Sequence, residues 1–282
     1  MLAFKAQEIE ELADVYFFRP LGMVLARGAC ALGLTPTAVT VVGMLVGAAG
    51  GAFLYDERRA SAAFGLIILH SILDSSDGQL ARMTGRVTEF GRVLDGVGGY
   101  VTHVAIYVAV MARALAGGGS STVVLLAVAA GVANVIHAQM YDYHRAAYVR
   151  SVIEGRAEPN RRSSEGGDAP SARLAGAISR AYEAIQESLA GAHPDVERAM
   201  ARRSMNGIAR DEDRERYRSC FYWPVRGWNL FGDNTRFYAI GVCAWLRRPE
   251  WFFVFVLVPM NVALVCVWLW QRRADRRFLG GV

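Results

Sequence analysis

Cysteine is scarce in this 282-residue chain, and none of the four (Cys30, Cys220, Cys243, Cys266) stands at a CxxC spacing. That excludes a disulfide framework or a cysteine metal site; three of the four lie in apolar surroundings, and they read as small core residues. Charge is thin as well, at 20% of residues, which excludes a disordered chain or a charged coiled coil. Lysine is nearly absent: Lys5 stands alone against thirty arginines. No internal repeat is found. The first twenty residues hold Glu8, Glu10, Glu11 and Asp14 and no apolar core ending in small residues, so no cleavable signal peptide is expected.

Apolar residues are present in long runs. They make up 53% of the chain, and Trp251 to Trp270 is twenty residues without a charge, enough to cross a bilayer. Thr37–Leu54 and Ser121–Ala138 are also charge-free, whereas Arg150 to Arg226 is dense in arginine and acids. Six spans are predicted, at about 37–55, 60–80, 92–114, 121–144, 229–246 and 251–270. The expected fold is an all-α polytopic membrane protein. Its four parts are an N-terminal juxtamembrane segment (1–36), spans one to four (37–144), a helical cytoplasmic insertion (145–228), and spans five and six with a basic tail (229–282).

With both termini cytoplasmic, the inner segments carry 25 Lys and Arg and the outer loops five. Positive-inside bias therefore accounts for the net charge of +5, and no nucleic-acid partner is expected. Ile9, Leu12 and Tyr16 recur at helical spacing and predict an amphipathic interfacial helix. Thr35, ahead of Pro36, is positioned to cap the first span. Gly43, Gly47 and Gly51 follow at four-residue intervals, a pattern that lets helices pack closely in lipid. Within the insertion, 154–170 reads as a loop. Leu174, Ile178, Tyr182, Ile185 and Leu189 mark an amphipathic helix over 171–191, and a second helix is expected over 194–205. This part is expected to form a cytoplasmic cap; a lid over a polar substrate is the alternative.

The chemistry is concentrated in LDSSDGQLARMTGRVTEFGRVLDGVGGY, residues 73–100. Carboxylates at membrane depth are costly and mark function. Asp74 and Asp77, three apart, share a helix face, and Asp95 opens the next span, so three hard oxygen donors can meet at the cytoplasmic boundary. Such a set suits Mg²⁺, Mn²⁺ or Ca²⁺. Gly78, Ala81 and Gly91 are small where a ligand has to approach, and Arg82, Arg86 and Arg92 can attract phosphate.

Asp74-x2-Asp77-Gly78-x2-Ala81-Arg82-x8-Gly91-x3-Asp95 resembles the signature of the CDP-alcohol phosphotransferases, also called CDP-alcohol phosphatidyltransferases. The likeness covers about residues 20–145 and is only topological over 229–270. It implies a homodimer of six-helix protomers in the cytoplasmic (inner) membrane. It also implies transfer of a substituted phosphate from a CDP-linked donor, CDP-diacylglycerol for preference, to an alcohol in phospholipid biosynthesis, with release of CMP. By the same resemblance Asp74, Asp77 and Asp95 hold Mg²⁺ or Mn²⁺ against the donor pyrophosphate. Gly78, Ala81 and Gly91 belong to the substrate-binding set, with room for cytidine at Gly78 and Ala81, and Arg82 steadies the site or its phosphates.

The family pattern continues with a fourth aspartate, the expected general base, and here that position is Gly99. His103, one turn on, is a candidate replacement base. Asn134, His137, Tyr141 and Asp142 form a further polar series. Gly98 and Gly99 alternatively make room for a bulkier acceptor, or the protein binds CDP-lipid without turnover. A channel or transporter is disfavoured because the three aspartates lie at the inner boundary and not at the midplane. Asp233 and Arg236 are spaced for an ion pair, with binding of the polar acceptor as the sharper reading. His70 is expected to be a satisfied buried histidine, with orientation of a metal ligand as its alternative.

Overall fold

A computed structural model describes residues 7–157 and 190–280, without the side chains of Gln7, Glu89, Phe90, Arg92 and Val93. Most of the expected helix over 171–191 and of the loop at 154–170 lies outside the described residues, as does the Arg92 side chain. Among the described residues the elements are helical. After a π-helical turn at Asp14–Phe18 come α1 (Arg19–Ala31), α2 (Pro36–Phe53), α3 (Ala60–Thr84), α4 (Glu89–Ala116) and α5 (Thr122–Tyr148). The series continues with α6 (His193–Arg203), α7 (Asp211–Trp228), α8 (Asp233–Trp245), α9 (Trp251–Leu257) and α10 (Pro259–Gly280). The all-α expectation is met.

Among the described residues, four stretches are long and apolar enough to cross a membrane: Pro36–Phe53, Leu94–Ala116, Thr122–Ile153 and Trp251–Gly280. α3 has the length, about 37 Å at 1.5 Å per residue, but carries Asp74, Asp77 and Arg82. α8 is shorter than expected: Gly232 is extended (ψ 166°), so the helix starts at Asp233 and its 13 residues span about 20 Å. The last apolar run is not one straight helix, because Pro259 lacks the amide that would continue the ladder and α9 stops at Leu257.

The chain divides into two compact units. One comprises Glu11–Asn134 and Asp233–Asn261; the other comprises Met1–Glu10, Val135–Gly232 and Val262–Val282. In the first, α2 packs along α3 and α4, α1 along α3, and α8 along α3. Thr35 caps α2 as expected, accepting from the Ala38 amide at 3.2 Å. The glycine series is a packing seam. A Cβ on Gly47 would stand 2.1 Å from Thr102 Oγ1, and one on Gly51 would stand 2.7 Å from Ala105 Cβ. Hence α2 lies almost backbone to backbone on α4.

The second unit has its own core, built from Ile9, Tyr148, Val152, Val196, Met200, Tyr217, Phe221 and Phe278. The expected helix at 194–205 is α6, and the basic tail is not free: α10 runs to Gly280, with Asp275 and Phe278 buried. Asp275 Oδ1 lies 2.8 Å from His193 Nδ1, and His193 Nε2 lies 2.9 Å from the Tyr217 hydroxyl. Glu8 ties the N-terminal segment into this unit through Tyr148 (3.0 Å) and Arg218 (2.8 Å).

Two expectations are corrected. Ile9 is fully buried while Leu12 and Tyr16 are 64% and 78% exposed, so the three do not form one amphipathic stripe. The cysteines are all free; Cys30 and Cys266 are exposed, whereas Cys220 is half-buried against the core of the second unit. In a chain bathed in lipid, an apolar residue gains as much facing outward as inward.

Candidate functional site

The turn between α3 and α4 sets the site. Gly85 ends α3 in the left-handed region (φ 67°), and Thr88 starts α4 by accepting from the Gly91 amide at 3.0 Å. The connection is only four residues long, which keeps the end of α3 and the start of α4 adjacent. Asp77 lies about two turns before the connection and Asp95 about two turns after it, at matching heights. The Asp74 and Asp95 carboxylates meet side chain to side chain, and Asp77 lies within electrostatic range of both.

Asp74 and Asp95 are exposed, whereas Asp77 is buried and takes a 2.6 Å hydrogen bond from Thr40 of α2. Among the described residues no three His, Cys, Asp or Glu side chains converge closely enough to enclose a metal ion as they stand. One Asp77 oxygen is turned toward α2. The donor set nonetheless fits a hard divalent cation. Two carboxylates in direct contact repel unless a proton or cation lies between them, and Asp77 lies within electrostatic range of both.

The small residues around these carboxylates leave the approach clear. A Cβ on Gly78 would meet only the tip of Arg82, at 3.5 Å, and the exposed Arg82 reaches electrostatically to Asp77. Ala81 is half-buried. Gly91 has a local structural reason, since a Cβ there would stand 3.0 Å from the capping Thr88 oxygen. At Gly99 nothing lies within 4 Å of a Cβ, so the turn where the family pattern has its fourth carboxylate is open.

His103 sits below that opening. Its Nδ1 is 2.9 Å from the Gly99 carbonyl, its ring stacks on Phe237 at 5.1 Å, and its Nε2 lies 3.6 Å from Asp233 Oδ1. Arg236 donates to the same carboxylate oxygen at 2.9 Å, which meets the expectation of an ion pair. Only 2% of Arg236 is exposed, and its Nε and Nη2 have no hydrogen-bond partner. His70 is satisfied by the Gly43 carbonyl (2.9 Å) and the Thr102 hydroxyl (3.2 Å), so it orients no carboxylate. Of the other polar candidates, His137 packs on Phe231 at 5.2 Å, the Tyr141 hydroxyl accepts from Arg145, and Asp142 is also engaged. Asn134 is half-buried, with no partner for its side-chain oxygen.

Residues 33–157 match the CDP-alcohol phosphatidyltransferase family, and the whole of this carboxylate turn lies inside the match. The chain carries a CDP-alcohol phosphatidyltransferase domain. It is similar to the phosphatidylinositol phosphate synthase of Mycobacterium marinum, 34% identical over 83 residues, or 29% of this chain and 36% of that protein. The corresponding protein of Mycobacterium bovis is 32% identical over 83 residues and 38% of its length. The archaetidylinositol phosphate synthase of Pyrococcus horikoshii is 32% identical over 71 residues, 25% of this chain and 37% of that protein. The chain thus spans well under half the length of the curated relatives that it matches.

The matched residues end before α8, so Asp233, which lies within electrostatic range of Asp74, and its partner Arg236 stand outside the match. Thr40 is the residue that sequence reasoning missed. It is one more threonine in an apolar span, and only the packing of α2 on α3 reveals its bond to Asp77.

Proposed function

We propose that the protein is an integral membrane transferase that moves a phosphatidyl group from CDP-diacylglycerol to an alcohol, releasing CMP, and that the alcohol carries a phosphate of its own. The observation that carries the reading is the direct contact of the Asp74 and Asp95 carboxylates, with Asp77 beside them. These three would hold Mg²⁺ or Mn²⁺, and when bound the cation neutralises the donor pyrophosphate and the departing CMP. Gly78 and Ala81 leave space for the nucleoside, and Arg82 offers a guanidinium to phosphate.

Support for a phosphate-bearing acceptor comes from Arg236. Its Nε and Nη2 form the edge that grips a phosphate or carboxylate in a fork, and both are buried and unpaired. Leaving a charge partly unpaired in an apolar bundle is costly, so an anionic ligand would stabilise it. The relatives named for inositol phosphate products point the same way. His103 is the base in this reading, accepting the acceptor's hydroxyl proton at Nε2. The cytoplasmic membrane, six spans, cytoplasmic termini and a homodimer belong to the same proposal, and no nucleic acid takes part.

The test is CMP release by purified protein in phosphatidylcholine vesicles containing CDP-diacylglycerol and Mg²⁺. Inositol phosphate should support release and inositol should not. Equal release from both would remove the role given to Arg236. Tight CDP-diacylglycerol binding with no CMP from any acceptor would contradict transfer and leave a binding protein.

A further inference from the structure

We infer that Asp233 supplies the carboxylate that position 99 lacks, acting as a pair with His103. This rests on the transferase reading above and extends it to a residue that the family signature does not contain.

The His103 ring is fixed on three sides. A carbonyl oxygen can only accept, so the 2.9 Å contact with Gly99 requires the hydrogen on Nδ1 and leaves the lone pair of the neutral ring on Nε2. Phe237 holds the ring plane by stacking at 26°. Nε2 is buried without a hydrogen-bond partner, and Asp233 Oδ1 lies 3.6 Å from it. Two acceptors thus face one another across a gap too long for a bond, with no hydrogen of their own to share. That arrangement gains from a proton: once Nε2 carries one, the imidazolium and the carboxylate can close into a charge-assisted hydrogen bond.

Position 99 is open, and Asp233 is 57% exposed although Arg236, His103 and His70 bear on it from α8, α4 and α3. Asp233 also lies within electrostatic range of Asp74, which puts the pair near the carboxylates proposed to hold the metal. In the step itself, the acceptor's hydroxyl oxygen forms a bond to the lipid-bearing phosphorus. The anhydride P–O bond to CMP breaks and its electron pair leaves on CMP. The hydroxyl proton passes to Nε2 and is then shared with Asp233. A carboxylate has in effect been exchanged between helices, lost from α4 and supplied by the first residue of α8.

The experiment measures CMP release and CDP-diacylglycerol binding, in the same vesicles, for the wild type, Asp233→Asn, His103→Gln, their double variant, and Asp233→Asn combined with Gly99→Asp. Each single variant is expected to lower kcat on the order of 10²-fold while donor affinity is retained. The double variant should be no slower than the worse single one, because two residues acting as a unit are not additive. Gly99→Asp should return at least about tenfold of the loss in Asp233→Asn.

Because Asp233 also pairs with the buried Arg236, Asp233→Glu is the second variant; it keeps the charge and should retain most of kcat. Wild-type kcat in Asp233→Asn, losses that multiply in the double variant, or no rescue by Gly99→Asp would overturn the inference. So would loss of donor binding in both Asp233 variants, which marks a purely structural residue. A wild type that releases no CMP at all contradicts the transferase reading instead.

Discussion

Thr40 Oγ1 donates to Asp77 Oδ2 at 2.6 Å, joining α2 to the carboxylate turn of α3. The bond is buried, and its acceptor is one of the three aspartates assigned to the metal. It therefore governs which Asp77 oxygen faces the site. Partners of this kind set the orientation and basicity of a ligand that they never replace.

Thr40→Val keeps the shape and removes the donor. The Mg²⁺ concentration that gives half-maximal CMP release should rise about tenfold, within the 10–100-fold usual for losing a ligand's supporting bond. An unchanged metal-activation curve would mean that Asp77 does not need Thr40 to serve the site.

Two glycines in the bundle should respond in opposite ways. Gly47→Ala drives a methyl to 2.1 Å from Thr102 Oγ1 and 2.9 Å from His70 Cγ, an overpacking that costs about 1–3 kcal/mol. Gly99→Ala meets nothing within 4 Å and gains helix propensity of about 1 kcal/mol. In detergent, the thermal midpoint should fall for the first and hold or rise for the second. The reverse order would show that α2 and α4 are not packed as described.

The second unit has its own pH limit. Burial, then the nearby Glu197 and Tyr143, push the Tyr217 phenol well above its ordinary value. The folded protein keeps that proton while the unfolded chain releases it near pH 10, so the stabilisation is full below about pH 10 and lost above it. Circular dichroism melts between pH 8 and 11 should show a falling midpoint at the alkaline end. Tyr217→Phe should flatten that fall while losing about 1 kcal/mol at neutral pH with the His193 bond. An equally steep fall in the variant would place the alkaline sensitivity elsewhere.

Much of the site was legible because it is local. Asp74 and Asp77 share a helix face by spacing alone, Thr35 is positioned as a cap by Pro36, and the Gly43–Gly51 series announces a close helix contact. The relation of His103 to Asp233 was not legible, because nothing in either local sequence shows that the start of α8 meets α4. Burial misled at Cys30 and Cys266: hydropathy reports affinity for an apolar medium, and a membrane chain finds that medium on its outside as well as within. The break at Gly232, which makes Asp233 a helix start and not a mid-span charge, depends on backbone geometry that composition does not encode.

The central claim is that Asp74, Asp77 and Asp95 form one divalent-metal site that drives CMP release. Its most direct test is CMP release from CDP-diacylglycerol across a Mg²⁺ titration, in the wild type and in Asp74→Asn and Asp95→Asn. Either substitution should lower turnover by at least about 10³-fold and should also remove the Mg²⁺-dependent part of CDP-diacylglycerol binding. Wild-type turnover with an unshifted Mg²⁺ curve in either variant would contradict the account.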